Sequence, residues 1–345
     1  MAAPNILCDC TGMSEKRWLE CREHGPKGDI EYTVGGSDVA VIFGLSPWTT
    51  PLELWMVKKG RMKPKTPPNP KQLLMGHMLE PIAAHFYGLQ TGNTVIDDNH
   101  LYQHANLEYA LANIDRRYMR KEDGESGVLE CKSLTYHKAA DWADGAIPIY
   151  YELQLRYYLA VMDQRHGAFS ALWGNNPEHD LATPHIERDQ AREDIIFEKL
   201  DRWIWSLRHD KPPTMEDVKP KLAMDALARI YGASKKELPT IEFPMKFEPK
   251  LRKIAALQKE NTELKGMIKK NEEAIEAHSV RIAELMKNHE HGILTTTTDK
   301  LLVDFATEVT KRVNSDYLKK EYPSVYTEAL RSSKSRKIKV TIQPV

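Results

Sequence analysis

The chain has few cysteines, no long apolar run and no excess of charge of either sign. Its 345 residues include only four cysteines, too few for a disulfide framework. No stretch of 18 apolar residues is present, and the N-terminus lacks a basic segment followed by an apolar one. These absences exclude a small disulfide-bonded domain. They predict a cytoplasmic protein with no membrane span and no secretory signal.

Net charge does not indicate a partner. Lys and Arg together number 49, as do Asp and Glu, so any basic surface has to come from local segregation of charge. The hydrophobic fraction of 41% and the charged fraction of 28% are those of a folded chain rather than a disordered one. The length corresponds to about two domains.

Four segments follow one another along the chain. Residues 1–213 have the pattern of mixed helix and strand, and a Lys-Pro-Pro sequence ends their last helix. Residues 214–246 carry three prolines and are predicted to be a linker with one small helix. Residues 247–290 are predicted to form one long helix. Residues 291–345 are predicted to form a small basic α+β module.

A heptad pattern runs through the predicted long helix. With Ile254 at position a, seven of the ten a and d positions are Ile or Leu, which is typical of a coiled coil. The other three positions hold polar side chains that would help to fix register or partner number: Asn261, Asn271 and His278. We expect this coiled-coil-like helix to span roughly 55–60 Å. It would either pair with another chain, or pack against its own chain or fold back as a hairpin.

The C-terminal module combines two predicted strands, a helix interrupted at Pro323 and a last strand at Arg336–Ile342. Its tail is locally basic through Arg331, Lys334, Arg336, Lys337 and Lys339. The tail could contact nucleic acid or an acidic partner. Alternatively, it is a solvated edge strand protected by lysines.

The most informative side chains lie on either side of a predicted charged turn, Arg116–Ser126. The strand predicted after this turn places Glu130 and Lys132 on one face, because side chains alternate along a strand. A hairpin would bring Asp115 beside Glu130. Two carboxylates, with the backbone carbonyl of Cys131, could then ligate a hard cation such as Mg²⁺.

Such a cation suits the hydrolysis of a phosphodiester. It polarises the phosphoryl oxygen and supplies an activated water, while the ammonium of Lys132 could orient that water or stabilise developing charge. The same pattern also occurs as a plain ion pair on a strand face. These residues alone therefore leave both interpretations open.

Two further segments add candidate residues. Glu80 lies one turn after Gly76 in a predicted helix, Leu73–Tyr87, and could supply a third carboxylate. Gln154 and Tyr158 are four residues apart in another predicted helix and share one face. Gln154 could hold the scissile phosphate or the attacking water, and Tyr158 could contact the DNA backbone. The alternatives are a surface position for Glu80 and a core position for Tyr158.

Taken in order, these segments resemble the YqaJ-like viral recombinases, which include the lambda-type exonucleases, within the PD-(D/E)XK nuclease superfamily. The matching segments are Val34–Ala40 continuing to Gly44–Trp48, Gly76–Glu80, Ala112–Asp115, Glu130–Lys132 and Gln154–Tyr158. The resemblance implies an α/β (α+β) fold with a PD-(D/E)XK restriction-endonuclease-like core. That core has the order helix, three-stranded meander, helix and strand.

The resemblance also implies roles for individual residues. Asp115 and Glu130 would be ligands of Mg²⁺ or Mn²⁺, and Lys132 would be the catalytic lysine. Glu80 would be an accessory acid near the metal, and Gln154 and Tyr158 would form the last motif. In the same frame, Ser37 is predicted to be the N-cap of a helix Asp38–Phe43. With Arg22, it would bind a terminal 5′-phosphate of DNA.

Members of this family digest one strand of linear duplex DNA from the 5′ end and leave a 3′ tail for a single-strand annealing partner. The resemblance therefore implies a metal-dependent exonuclease acting in phage-type recombination. It also implies a homo-oligomer, which in some members is a ring. Two alternatives stay open: a structure-selective or restriction-type endonuclease of the same superfamily, and a non-catalytic DNA-binding assembly protein built around the heptad helix.

Overall fold

A computed structural model describes residues 3–65, 70–176, 178–310 and 312–330. The helices are α1 Glu15–His24, α2 Gly36–Ile42, α3 Pro51–Lys58, α4 Pro70–Thr91, α5 Ile149–Met162, α6 Gln190–Arg208, α7 Pro220–Tyr231, α8 Glu248–Met286, α9 Ser315–Glu321 and α10 Pro323–Ala329. The strands are β1 Asn5–Asp9, β2 Thr94–Asp97, β3 His100–Gln103, β4 Leu111–Ala112, β5 Arg116–Met119, β6 Ser126–Ser133, β7 His166–Leu172, β8 Leu181–Ala182, β9 His185–Glu187, β10 His291–Thr295 and β11 Lys300–Asp304. None of these helices is long and apolar enough to cross a lipid bilayer.

The largest sheet has the strand order β2-β5-β6-β7-β8, and β9 also pairs with β7. Strands β2, β5 and β6 are antiparallel neighbours, whereas β7 lies parallel to β6 and is reached through α5. A parallel pair needs such a crossover, and a helix usually supplies it. The order α4, antiparallel meander, α5 and parallel strand is that of the PD-(D/E)XK core, so the predicted fold class is confirmed.

Helices cover both faces of the central strands. On one face, Leu129 and Cys131 of β6 pack in a cluster with Ala83 and Tyr87 of α4. On the other face, Val128 packs in the cluster that includes the buried side chains of α5. Because side chains alternate along a strand, the even-numbered residues of β6 all face α5. This alternation places Glu130 and Lys132 on one face, as the sequence predicted, and that face lies under α5.

A smaller sheet with the order β1-β3-β4 adjoins this core. The hydroxyl of Tyr157, which is fully buried on α5, donates to the carbonyls of Val34 at 2.7 Å and Leu111 at 3.1 Å. Val34 in turn donates its N–H to the carbonyl of Tyr109 at 2.8 Å. These bonds fix the chain just before α2 against α5, and so position the N-terminal end of α2.

The chain divides into two units, Met1–Gly232 and Ala233–Val345. Helix α7 belongs to the first unit because Arg229 donates to the buried carboxylate of Glu53 at 2.5 and 2.8 Å. The first unit therefore extends beyond residue 213, where the sequence placed its end. The prolines there end α6, but they do not end the packed unit.

The second unit contains α8, the antiparallel hairpin β10–β11 and the short helices α9 and α10. Helix α8 lies within the range predicted for the long helix, and α9 ends just before Pro323, where the sequence predicted a break. The predicted strand Arg336–Ile342 and the basic tail from Arg331 lie outside the described residues.

Candidate active site

The start of β5 brings two carboxylates together. Arg116 pairs with Leu129 in the antiparallel ladder, so Asp115, one residue before β5, lies beside Glu130. Asp115 Oδ2 accepts a hydrogen bond from the backbone N–H of Cys131 at 2.8 Å. In a strand, the N–H and C=O of one residue point to the same side. The carbonyl of Cys131 therefore faces the side on which Asp115 lies.

The predicted turn Arg116–Ser126 is shorter than the sequence indicated. Arg116–Met119 forms β5, so only the segment between Met119 and Ser126 makes the turn. The physical reason is Tyr118, which is buried in the cluster formed by α4 and donates to or accepts from His166 Nδ1 at 2.6 Å. One buried aromatic residue is enough to hold this otherwise charged stretch in the sheet.

Glu130 is the most deeply buried acid of the site, with 2% of its surface exposed. Its Oε1 accepts from Lys132 Nζ at 2.5 Å and from Gln154 Nε2 at 2.6 Å. Its Oε2 is buried and has no hydrogen-bond donor within the described residues. Burial, followed by the charge of Asp115, raises the pKa of Glu130 to about 8, although Lys132 opposes this shift.

Lys132 lies on the same face of β6 as Glu130 and projects toward α5. Its ammonium also lies 5.0 Å from the ring centroid of Tyr151. Burial alone would lower the pKa of Lys132, but the charges of Glu130 and Asp115 outweigh burial and raise it. The lysine is therefore a charged hydrogen-bond donor and not a general base at neutral pH.

Glu80 also lies near the two carboxylates, but it forms an ion pair with the side chain of Arg116. Arg116 Nη1 donates to Glu80 Oε1 at 2.7 Å, and Arg116 Nε donates to Asp97 Oδ1 at 2.8 Å. Burial, followed by the charge of Asp115, raises the pKa of Glu80, and Arg116 opposes the shift. The sequence analysis did not assign this role to Arg116. The available signal was an arginine placed directly after Asp115.

Gln154 and Tyr158 share one face of α5, as their spacing predicted. Gln154 Nε2 lies 2.6 Å from Glu130 and 3.3 Å from the hydroxyl of Tyr158. Tyr158 is 4% exposed, so it is a core residue that also reaches the site. A Cβ atom on Gly36 would lie 2.5 Å from the Tyr158 ring. Only glycine fits at the start of α2 with the ring in this position.

Arg22 and Ser37 come together although 14 residues separate them in the chain. Arg22 Nη2 lies 3.4 Å from Ser37 Oγ, and the guanidinium lies 4.6 Å from the ring centroid of Trp18. The prediction that Ser37 is an N-cap is wrong. Helix α2 begins at Gly36 with Gly35 as its N-cap, because the Asp38 carboxylate accepts from the Gly35 N–H at 3.2 Å.

Two clefts adjoin these residues. The smaller cleft, of about 160 Å³, is lined by Arg22, Gly35, Gly36, Lys58 and Tyr158, among others. The larger cleft, of about 530 Å³, is lined by Lys132 and Gln154 at one end, with Trp48, Tyr150, Lys63 and Lys65 around it. Asp38 lines both clefts. The larger cleft therefore combines basic and aromatic side chains next to the buried carboxylates.

The donor atoms fit a hard divalent cation. Asp115 and Glu130 supply carboxylate oxygens and Cys131 a carbonyl on the same side, and these are the atoms that Mg²⁺ and Mn²⁺ prefer. Among the described residues, the buried Oε2 of Glu130 has no hydrogen-bond partner, and a bound cation would supply one. In the described residues, no three His, Cys, Asp or Glu side chains form a complete metal cluster. The third acid, Glu80, is paired with Arg116.

Comparison with known proteins finds a relative that aligns over almost all of both chains, and solved structures that resemble about half of this chain. The chain is 26% identical over 335 residues to "Uncharacterized protein YqaJ" of Bacillus subtilis (strain 168), covering 96% of both chains. An alkaline exonuclease (LHK-Exo) of Laribacter hongkongensis is 18% identical with a TM-score of 0.46, covering 57% of this chain and 94% of that one. A phage-related exonuclease of Haemophilus somnus 129PT is 14% identical with a TM-score of 0.40, covering 51% and 93%.

A family match covers the segment that builds the site. Residues 17–165 match the YqaJ-like viral recombinase domain. This segment starts one residue before Trp18, which lies beside Arg22, and it ends seven residues after Tyr158. It therefore contains every side chain that the candidate site brings together. The candidate site thus lies wholly within the segment that is similar to this family.

Proposed function

We propose that this chain is a divalent-metal-dependent DNA exonuclease. It hydrolyses linear duplex DNA in the 5′ to 3′ direction and leaves 3′ single-stranded tails for phage-type recombination. The observation that carries the proposal is the buried Glu130 carboxylate. One of its oxygens accepts hydrogen bonds from Lys132 and Gln154, and the other, near Asp115, has no hydrogen-bond partner among the described residues. A plain surface ion pair would not need this burial.

In this proposal, Asp115, Glu130 and the Cys131 carbonyl hold Mg²⁺ or Mn²⁺. The bound ion supplies charge neutralisation at the phosphate and a water of lowered pKa. Lys132 remains protonated and donates a hydrogen bond to the attacking water or to a phosphate oxygen. Gln154 holds the Glu130 carboxylate in place, and Tyr158 supports Gln154 from the core side.

Glu80 acts as an accessory acid. Its pairing with Arg116 keeps it beside the other two carboxylates without a direct bond to a metal. Arg116 also donates to the backbone carbonyl of Asp115 at 2.5 Å. The arginine therefore offsets part of the negative charge of the site and fixes the chain at the start of β5.

Arg22 and Ser37 bind the 5′-phosphate in this proposal. A guanidinium and a hydroxyl 3.4 Å apart can both donate to one phosphate group. The small cleft next to them contains the Tyr158 ring, which links this pocket to Gln154. Duplex DNA is the substrate, a single-strand annealing protein is the partner that receives the tail, and the enzyme acts as a homo-oligomer.

The first experiment compares matched linear and closed circular duplexes in Mg²⁺ and in EDTA. We expect digestion of linear DNA only, in Mg²⁺ only. Lys132→Ala is expected to abolish digestion, whereas Lys211→Ala, which alters an exposed lysine after α6, keeps it. Cutting of circles would indicate an endonuclease. Absence of cutting under all conditions would indicate a non-catalytic DNA-binding protein.

A second experiment tests the 5′-phosphate pocket with linear DNA bearing 5′-phosphate or 5′-hydroxyl ends. We expect wild type to prefer the phosphorylated end and Arg22→Gln to lose this preference. Arg17→Gln is the matched control, because Arg17 lies on the same helix with 49% of its side chain exposed. A retained preference in Arg22→Gln would remove Arg22 from the pocket.

A further inference from the structure

Helix α8 exposes a continuous apolar face. Every residue from 259 to 282 is exposed. Among the described residues, other parts of the chain pack against α8 only near its two ends. The exposed apolar side chains of the a and d positions are Leu257, Leu264, Ile268, Ile275, Ile282 and Leu285, with exposed fractions between 44% and 83%. A face of this length on a single helix is typical of an interaction surface.

The sequence of this face identifies a second helix as its partner. Four of the five a positions are Ile, and three of the five d positions are Leu, so the apolar seam has the repeat of a coiled coil. A 39-residue helix spans about 58 Å, which gives five full heptads of contact. A globular partner would not require a heptad repeat over this length.

The charges that flank the seam identify the partner as another copy of α8. In a fully overlapped antiparallel pair, Glu260 meets Arg281 of the partner subunit, and Lys265 meets Glu272 of the partner subunit. Two-fold symmetry repeats both attractive pairs, and no like charges meet. Glu260, Lys265 and Glu272 make no ion pair within the described part of the chain, so they are available. Arg281 contacts Glu284 at 2.9 Å, but its side chain is 88% exposed.

Two of the three polar core positions face each other in this alignment, and the third, Asn271, faces Ile268 of the partner subunit. In an antiparallel pair each a position faces a d position, so Asn261 faces His278 of the partner subunit, polar against polar. A parallel alignment gives fewer charge pairs, since only Glu260 then meets a cation, Lys265 of the partner subunit. Charges at e and g positions set orientation. The antiparallel arrangement therefore has the greater charge complementarity.

We propose that α8 pairs with α8 of a second copy of this chain as an antiparallel two-stranded coiled coil. This inference concerns the second unit. It holds whether or not the first unit cleaves DNA, and a negative nuclease assay would leave it unaffected.

Cysteine cross-linking of the full-length chain tests the pairing and its direction. In the antiparallel pair, Leu257 faces Ile282 of the partner subunit. The double variant Leu257→Cys/Ile282→Cys should form a covalent dimer under mild oxidation, and neither single variant should do so. The two positions are about 37 Å apart on one helix, too far for a cross-link within the chain. Wild type controls for its four native cysteines.

Each outcome of this test is decisive. Covalent dimers from the double variant alone support the proposal. Covalent dimers from both single variants would show a parallel pair and overturn it. Absence of cross-linking in all variants would show that something other than a second copy covers this face, whether another protein or another part of this chain.

A charge-reversal series gives an independent measurement. Glu260→Lys should weaken self-association roughly tenfold, because two attractive pairs become repulsive. Adding Arg281→Glu should restore association, whereas adding Lys265→Glu should not. Glu276→Lys is the control, with the same charge change on the outer face of α8. Association constants from analytical ultracentrifugation that are equal for Glu260→Lys and Glu276→Lys would overturn the proposal.

Discussion

Replacing Gly36 by alanine should disturb both the stability and the chemistry of the first unit. The new Cβ would lie 2.5 Å from two ring carbons of Tyr158 and 2.8 Å from its hydroxyl oxygen. Ordinary contacts between carbon atoms are about 3.5–4.0 Å. The ring or the start of α2 must therefore move by roughly 1 Å. Tyr158 contacts Gln154, and Gln154 contacts Glu130, so this displacement reaches the carboxylates.

The expected magnitudes follow from this overlap. Overpacking of a buried site costs about 1–3 kcal/mol, which lowers the melting temperature of a unit of this size by roughly 3–10 °C. A displacement of about 1 Å in a group that positions the reacting atoms lowers the rate on the order of 100-fold. Differential scanning calorimetry and digestion of linear duplex DNA measure the two effects.

Gly76→Ala is the matched control within the same unit. Gly76 lies in α4, where a Cβ would meet nothing within 4 Å. Alanine there should stabilise the helix by about 0.5–1 kcal/mol. If Gly36→Ala melted within about 1 °C of wild type and kept full activity, the close packing of Tyr158 on α2 would not position the site, and this reasoning would be refuted.

Three further predictions concern the metal, the pH and the domain boundary. Mg²⁺ at 100 times its dissociation constant should stabilise wild type by about 2.7 kcal/mol, measured as a rise in melting temperature, and Asp115→Asn should lose this effect. In EDTA, the unfolding free energy should fall by about 3 kcal/mol between pH 6 and about pH 8 and then level off, because in this range folded Glu130 keeps a proton that the unfolded chain has already lost. Urea titrations at pH 6 and pH 9 measure this fall, and an unchanged difference in Glu130→Gln would assign it to another group. Arg229→Ala should lower the unfolding free energy by about 3 kcal/mol, because the carboxylate of Glu53 then stays buried without a cation and keeps only its hydrogen bonds from Thr50. If the unfolding free energy of Arg229→Ala equalled that of wild type, α7 would not contribute to the stability of the first unit, and the boundary predicted at residue 213 would be the better one.

The sequence was sufficient for features that depend on local periodicity. Alternation along β6 predicted that Glu130 and Lys132 share a face, and helical spacing predicted the same for Gln154 and Tyr158. These predictions succeeded because a period of two or of about 3.6 residues determines which way a side chain points, whatever packs against it. The core topology, by contrast, was implied by the resemblance of the ordered segments to a known family.

The features that the sequence did not give depend on residues far apart in the chain. The contact of Arg116 with Glu80 joins β5 to α4, and the contact of Arg229 with Glu53 joins α7 to α3. Neither has a local pattern. The error at Ser37 is of another kind, because it is local: serine favours the cap position, yet Gly35 takes it, and its N–H donates to the carboxylate of Asp38.

The ion pair between Arg116 and Glu80 has a thermodynamic consequence for the order in which ligands bind. With every side chain charged, the acids Glu80, Asp115 and Glu130 and the cations Arg116 and Lys132 leave the centre with one net negative charge. In the proposed function, one divalent cation inverts that charge and makes the centre attractive to a phosphate. By linkage, DNA must then raise the affinity for the metal by the same factor by which the metal raises the affinity for DNA. Magnesium titrations with and without DNA should therefore differ, and the enzyme would reach its loaded state by either route.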